Sequence, residues 1–171
     1  LQDLALKGIN RSKEKLTIGS MTTLDEMMKN PDCPDLLRAS SRSELPSTLR
    51  TLATIGGTVA SGDSDSQLIA SLLVYDAEIK VLNSEGESNV PLHEMLSEPN
   101  SHGAQLILSI ELDTDGECVL EATGRTPTDT PIVSVALRHC KNGYRMAVTG
   151  VASTPVLVDP ENPTASLQPS S

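Results

Sequence analysis

An Asn-Gly dipeptide between two predicted strands restricts how the end of this chain can fold. Asn142-Gly143 separates residues 132–137 from residues 145–151. Asn and Gly readily adopt the positive φ angles of a two-residue turn, so this pattern predicts an antiparallel β-hairpin. A further short strand is predicted over 155–158.

A second dipeptide of this kind, Asp115-Gly116, lies between residues 105–112 and 118–123. Both flanking runs predict strands. The Asp-Gly pair predicts a tight turn that joins them as another hairpin. The second half of the chain is thus expected to be antiparallel β-structure.

Helical patterns lie in the first half. Thr23 followed by Glu26 forms a capping box, and an apolar stripe at helical spacing comes directly after it. Asp65 or Ser66 is placed to cap a longer helix with a buried face. The other predicted elements are a strand at 16–20, a short helical piece at 35–39, a strand at 78–83, a turn at 84–87 and a helix at 91–96. The order of elements predicts an α+β fold: a mixed or antiparallel sheet with a few short helices, followed by a small antiparallel β domain.

Residues 40–66 are rich in Ser, Thr and Gly but also carry spaced aliphatic residues, which predicts a long ordered loop. At its centre, Gly56-Gly57 lets the backbone approach a ligand closely and direct N–H groups toward it. With nearby hydroxyls and a following helix N-terminus, such a loop suits a pyrophosphate. The alternative is an ordinary structural turn, in which Asp63 and Asp65 only cap the helix.

Composition disfavours nucleic acid as a partner. The chain has 13 Lys and Arg against 23 Asp and Glu, a formal net charge of −10, and it contains no Phe or Trp and only two Tyr. An acidic surface without stacking aromatics disfavours nucleic acid as a partner. Because Phe and Trp are absent, the core must be aliphatic.

Metal, membrane and hydrolase signals are also missing from the sequence. Three Cys without CxxC spacing and three His without HxxxH or HExxH spacing predict no metal site. No GxSxG motif supports a catalytic nucleophile. No long apolar run or basic leader is present, so we expect a cytoplasmic protein that does not bind a membrane. The chain begins with Leu1 rather than Met, which hints at residues upstream.

Several motifs together resemble the flavoprotein component of molybdenum hydroxylases, a family that includes the medium subunit of carbon monoxide dehydrogenase and the flavin domain of xanthine dehydrogenase. Residues 17–24 are similar to its iGAmtTl signature, and residues 50–58 to its R-x-x-ATIGGN loop. Further matches follow in order at 69–81 with Gly86, 91–96, 106–112, Arg125, Asp129, 132–137 and 142–151. The resemblance extends from about residue 16 to residue 158.

This resemblance implies FAD binding, with electrons arriving from an iron–sulfur partner and leaving to an external acceptor. The molybdenum site would belong to a further subunit, and no side chain of this chain would be catalytic. In the family, the TIGGN loop lies against the FAD diphosphate. The candidate cofactor-binding residues that follow are Thr54, Ile55, Gly56, Gly57, Thr58, Asp63, Gln67 and Ile107.

The chain also departs from the family pattern. The family's Asn after the glycine pair is Thr58, its cofactor-contacting acid falls on Gln67 with Asp63 nearby, and a Lys near the flavin falls near Ala122. Nothing here matches the family's N-terminal FAD subdomain with its AGGT/H loop. We expect residues 1–115 to correspond to the second FAD subdomain, residues 116–160 to the start of the C-terminal domain, and residues 161–171 to a disordered tail.

Two hypotheses follow for function. The chain is either an FAD-binding electron-transfer module of a molybdenum-hydroxylase-type oxidoreductase, or a non-catalytic, FAD-free interaction module that retains the fold. Without the N-terminal subdomain, only one wall of the FAD cleft and about half of the contacts to FAD are present. Whether this chain alone binds FAD is therefore a separate question.

Overall fold

A computed structural model describes residues 6–97, 105–124 and 131–162 and folds the chain into two antiparallel sheets. The five-stranded sheet has the order β1-β2-β5-β3-β4, and the four-stranded sheet has the order β6-β7-β8-β9. The strands are β1 (Ile9–Ser12), β2 (Lys15–Gly19), β3 (Glu78–Asn83), β4 (Gly86–Pro91), β5 (Leu106–Asp113), β6 (Glu117–Thr123), β7 (Val133–Cys140), β8 (Gly143–Val148) and β9 (Val156–Val158). The helices are α1 (Leu24–Lys29), α2 (Asp35–Glu44), α3 (Ser47–Arg50), α4 (Ile55–Ser61), α5 (Gln67–Val74) and α6 (Leu92–Ser97). This architecture confirms the predicted α+β class.

Several elements form as the local sequence predicts. The capping box of α1 is present: the Glu26 N–H donates to the Thr23 hydroxyl, and the Glu26 carboxylate accepts the Thr23 N–H. The predicted strand over 78–83 has the bounds of β3. The hairpin of β7 and β8 is present, but its two turn residues are Lys141 and Asn142, and Gly143, with a φ of +107°, pairs with Cys140 at the start of β8. These elements depend mainly on neighbouring residues, so the sequence is informative about them.

Helix α5 is more deeply buried than its pattern predicts. The sequence indicates one buried face, but all eight residues are buried. The helix packs against α2 on one side and against β7, β8 and β9 on the other. It therefore forms the main connection between the helical layer and the four-stranded sheet.

The predicted long loop over 40–66 is wrong, because three helices occupy most of it. Helix α2 continues to Glu44, and the Ser40 hydroxyl donates to the Leu36 carbonyl of the same helix at 2.9 Å. The Arg50 guanidinium then donates to the carbonyls of Arg42 and Leu45, at 2.8 and 2.7 Å, which fixes α3 against the end of α2. The sequence predicted a loop because this segment is rich in Ser, Thr and Gly.

The predicted hairpin at Asp115-Gly116 is also wrong. Strand β5 pairs with β2 and β3, whereas β6 pairs with β7 in the other sheet. The Asp115 carboxylate is held by the buried Arg138 guanidinium of β7. Gly116 has a φ of +82° and packs against the His139 carbonyl. This Asp-Gly turn therefore carries the chain from one sheet to the other.

Strand β4 is absent from the sequence prediction. The turn before it is present, because the Asn83 side chain accepts the N–H groups of Glu85 and Gly86. The strand itself is a polar edge strand without an alternating apolar pattern, so its sequence gives little strand signal. Its pairing with β3 defines it instead.

Some predictions fall on residues outside the described part. These are Arg125, Asp129 and the tail beyond residue 162. Within the described ranges, no helix has both the length and the apolar character needed to cross a membrane.

Candidate functional site

An open groove of about 430 Å³ lies where the end of α2 meets the starts of α4 and α5. The Gly-Gly segment forms one wall, and the turn before α5 forms another. The groove is lined by Ser43, Glu44, Leu45, Ala53, Thr54, Gly57, Thr58, Ser61, Asp63, Asp65, Ser66, Gln67 and Pro131. Hydroxyl groups and carboxylates dominate its polar lining.

The two glycines lie in the first turn of α4, capped by Thr54. Neither has a positive φ, so neither glycine is required by a left-handed backbone conformation. A Cβ on Gly56 would lie 2.7 Å from the Ser20 Cβ, which shows that Gly56 allows α4 to pack against the end of β2. Gly57 instead is exposed on the groove wall, where a Cβ would meet only the Thr54 hydroxyl, at 3.3 Å.

The backbone N–H groups at the start of α4 already have partners. The N–H of Ile55 donates to the Thr22 carbonyl at 3.0 Å, and that of Gly56 to the Ser20 carbonyl at 2.9 Å. The N–H of Gly57 donates to the Thr54 hydroxyl at 3.2 Å. The predicted set of free N–H groups around a pyrophosphate is therefore not present. Gly57 instead contributes a surface without a side chain.

The N-terminus of α5 is also occupied from within the protein. The Ser66 hydroxyl accepts the Ile69 N–H, and the Glu44 carboxylate accepts the Leu68 N–H, both at 3.1 Å. The neighbouring Gln67 side chain is buried and bonded at both ends. Its carbonyl accepts from the Ser43 hydroxyl at 2.5 Å, and its amide donates to the Ser134 hydroxyl at 2.9 Å.

The charge in the groove is negative. Glu44, Asp63 and Asp65 line it, and no Lys or Arg is among the described lining residues. Burial raises the pKa of the Glu44 carboxyl, and the nearby Asp65 and Asp63 raise it further. Hydrogen bonds from Ser66 and Leu68 act in the opposite direction. Within the described residues, no group of three or more His, Cys, Asp or Glu is arranged to hold a metal ion.

The structure brings only part of the predicted residue set to the groove. Thr54, Gly57, Thr58, Asp63 and Gln67 line it. The other candidates lie elsewhere: Ile55 and Gly56 are buried beneath the wall, and Ile107 lies on β5, opposite Val81, and packs against the core.

Sequence reasoning missed Glu44 and Ser43, which line the groove from the end of α2. They come near Gln67 and Leu68 only because α2 continues to Glu44, and the sequence predicted that helix to end at residue 39. If the helix predicted from residue 35 had been continued through the serine-rich segment, both residues would have been placed at its end.

The fold is that of solved oxidoreductase structures. It matches a carbon monoxide dehydrogenase from Hydrogenophaga pseudoflava with a TM-score of 0.79 and 22% identity, covering 89% of this chain and 58% of that chain. It matches quinoline 2-oxidoreductase from Pseudomonas putida 86 with a TM-score of 0.78 and 17% identity, covering 89% and 57%. These likenesses define the class of fold.

A family model described as the FAD binding domain in molybdopterin dehydrogenase matches residues 1–113. The chain belongs to this family of FAD-binding domains, as its motifs predict. It is 28% identical over 155 residues to the uncharacterized protein YgfM of Escherichia coli (strain K12), covering 90% of this chain and 58% of that protein. It is 31% identical over 111 residues to the 6-hydroxypseudooxynicotine dehydrogenase complex subunit alpha of Paenarthrobacter nicotinovorans, covering 63% and 36%. The chain thus spans less than two thirds of the length of these relatives.

Proposed function

We propose that this chain forms one wall of an FAD site and acts as the FAD-binding module of a molybdenum-hydroxylase-type oxidoreductase. Its role is to pass electrons between an iron–sulfur partner subunit and an external acceptor, with the molybdenum centre on a further subunit. Family membership and the open groove beside Gly57 support this proposal. In this scheme residues 1–115 form the FAD lobe, and residues 116–160 begin a second domain.

The wall formed by Thr54, Gly57 and Thr58 suits a ligand that approaches the backbone closely. Gly57 leaves open the space that a Cβ would fill, and hydroxyl groups lie on both sides of it. When FAD is bound, its isoalloxazine ring supplies the redox chemistry. The protein groups bind and orient the cofactor, so no side-chain acid or base is required.

A second candidate function is an FAD-free interaction module, and two observations favour it. The first is the negative charge of the groove, together with the engaged N–H groups of α4. The second is the four-stranded sheet. Its β7 residues Ser134, Ala136 and Arg138 are buried on the side of α5, whereas the apolar residues Val133, Val135 and Leu137 of the opposite face are half-exposed. On that face Val119 is 47% and Tyr144 is 58% exposed, which suits contact with another polypeptide.

Titration of the full chain with FAD tests the first candidate. We expect quenching of flavin fluorescence and a bound flavin spectrum. We also expect binding to weaken about tenfold in Gly57→Ala, whose new methyl group fills the approach to the wall. Ser88→Ala, an exposed change on β4, is the matched control and should bind as the original chain does.

The outcomes of this titration separate the two candidates. A folded chain that takes up no FAD at millimolar concentration favours the interaction module. Equal FAD binding by Gly57→Ala and Ser88→Ala removes Gly57 from the site.

A further inference from the structure

The Glu44 carboxylate occupies the position that an anionic ligand would take at the start of α5. It reaches from the end of α2 and accepts the Leu68 N–H at 3.1 Å, while the Ser66 hydroxyl accepts the Ile69 N–H. The first turn of a helix attracts anions because its N–H groups lack partners within the helix. Here the Glu44 carboxylate is the anion at the first turn of α5.

The surroundings of Glu44 add to this effect. Asp63 and Asp65, in the turn before α5, face the same groove, and no described basic residue lines it. The eight residues of α5 carry no charge. A phosphate at this end of the groove would therefore meet carboxylates and find the N–H groups of Leu68 and Ile69 engaged.

We propose that Glu44 determines which part of a dinucleotide lies at the α5 end of the groove. Its carboxylate excludes phosphate there and accepts hydrogen bonds from hydroxyl groups, so a sugar or polyol part of the ligand lies beside it. The identity of the ligand rests on the proposed FAD site. The exclusion of phosphate rests on the position of Glu44 beside Asp63 and Asp65, and it does not require that the ligand be FAD.

The test compares Glu44→Gln with Asp35→Asn in calorimetric titrations of the full chain with inorganic pyrophosphate and, separately, with FAD, at neutral pH and low salt. Gln keeps an oxygen that can accept the Leu68 N–H and removes the charge. Asp35 lies at the other end of α2 with its side chain 98% exposed, so its substitution changes net charge equally but outside the groove. We expect Glu44→Gln to bind pyrophosphate at least about tenfold more tightly than the original chain and Asp35→Asn.

A further variant, Glu44→Asp, keeps the charge, so we expect it to bind pyrophosphate as weakly as the original chain. If Glu44→Gln does not unfold cooperatively, Glu44→Ala replaces it, since it leaves the Leu68 N–H to solvent in the groove. Equal pyrophosphate affinities for the Gln (or Ala) variant and Asp35→Asn would overturn the proposal.

The two probes separate this inference from the proposed function. A gain in pyrophosphate binding without FAD binding by any of the proteins supports the role of Glu44 and contradicts the FAD site. FAD binding by the original chain, with pyrophosphate affinity unchanged in Glu44→Gln, supports the FAD site and contradicts the role of Glu44.

Discussion

The side-chain amide of Gln67, at the start of α5, donates to the hydroxyl of Ser134 on β7 at 2.9 Å, and both residues are buried. Gln67 also lines the groove and accepts from Ser43 of α2. The Gln67 side chain therefore connects the groove to both α2 and β7. The shape of the groove depends on how α5 sits on the four-stranded sheet.

Removing one partner of this buried hydrogen bond should destabilise the chain. Ser134→Ala leaves the Gln67 amide without its acceptor, and an unsatisfied buried polar group costs about 1–3 kcal/mol. We expect a loss of this size in the free energy of unfolding, measured by urea titration. The exposed Ser88→Ala should change it by less than about 0.5 kcal/mol. Equal stability of the two variants would show that the Gln67–Ser134 bond contributes nothing.

The two adjacent glycines should respond differently to the same substitution. Both are helical, so alanine gains helix propensity equally at each. Gly56→Ala places a methyl group 2.7 Å from the Ser20 Cβ, and we expect such overpacking to lower the free energy of unfolding by about 1–3 kcal/mol. Gly57→Ala meets only the Thr54 hydroxyl and should change it by no more than about 1 kcal/mol. Urea titration of both variants measures the difference, and similar values would contradict the packing role of Gly56.

The sequence predicted those parts of the fold that neighbouring residues determine. The Thr23–Glu26 capping box and the Asn142-Gly143 hairpin signal act within a few residues. The capping box and the hairpin both formed, although the hairpin turn lies one residue earlier, at Lys141-Asn142. Asp115-Gly116 is a turn-forming dipeptide like Asn142-Gly143, but it connects strands of two different sheets instead of a hairpin. Its carboxylate binds Arg138, a residue that only the tertiary fold brings close.

The candidate site was predictable to a similar extent. Motif resemblance identified Thr54, Gly57 and Thr58, which line the groove, but it does not reveal that the N–H groups of α4 donate to the segment after β2. Glu44 is 24 residues from Leu68 in sequence, and their hydrogen bond depends on the packing of α2 against α5. Contacts of this range have no signature in a single sequence.

Arg138 should contribute far more to stability than its neighbour Arg145. The guanidinium of Arg138 is 2% exposed and binds the Val74 carbonyl at 3.1 Å as well as Asp115. Removing one partner from a buried ion pair costs about 3–5 kcal/mol, so we expect a loss of this size in Arg138→Ala. Arg145 pairs with Asp76 at 3.1 Å but is 49% exposed, and Arg145→Ala should cost at most about 1 kcal/mol. Thermal and urea unfolding would measure both, and a comparable loss in the two variants would contradict a buried role for Arg138.

The pH dependence of stability should reveal the burial of Glu44. Burial raises the pKa of this carboxyl above its usual value near 4.5, so the folded chain holds the proton to higher pH than the unfolded chain. Between those two pKa values the folded state binds more protons. The contribution of Glu44 to the unfolding free energy therefore falls as pH rises through that window and is level above it.

Glu44→Gln removes this titration, so its stability relative to the original chain should increase as pH rises from about 4 to about 7. Urea titrations across that range measure the difference, with Asp35→Asn as the control for an exposed carboxylate on the same helix. The other acids facing Glu44, Asp63 and Asp65, are present in all three proteins, so their titration largely cancels in the comparison. A difference between Glu44→Gln and the original chain that is constant with pH, or that decreases as pH rises, would show that the Glu44 carboxyl does not bind its proton more tightly in the folded state.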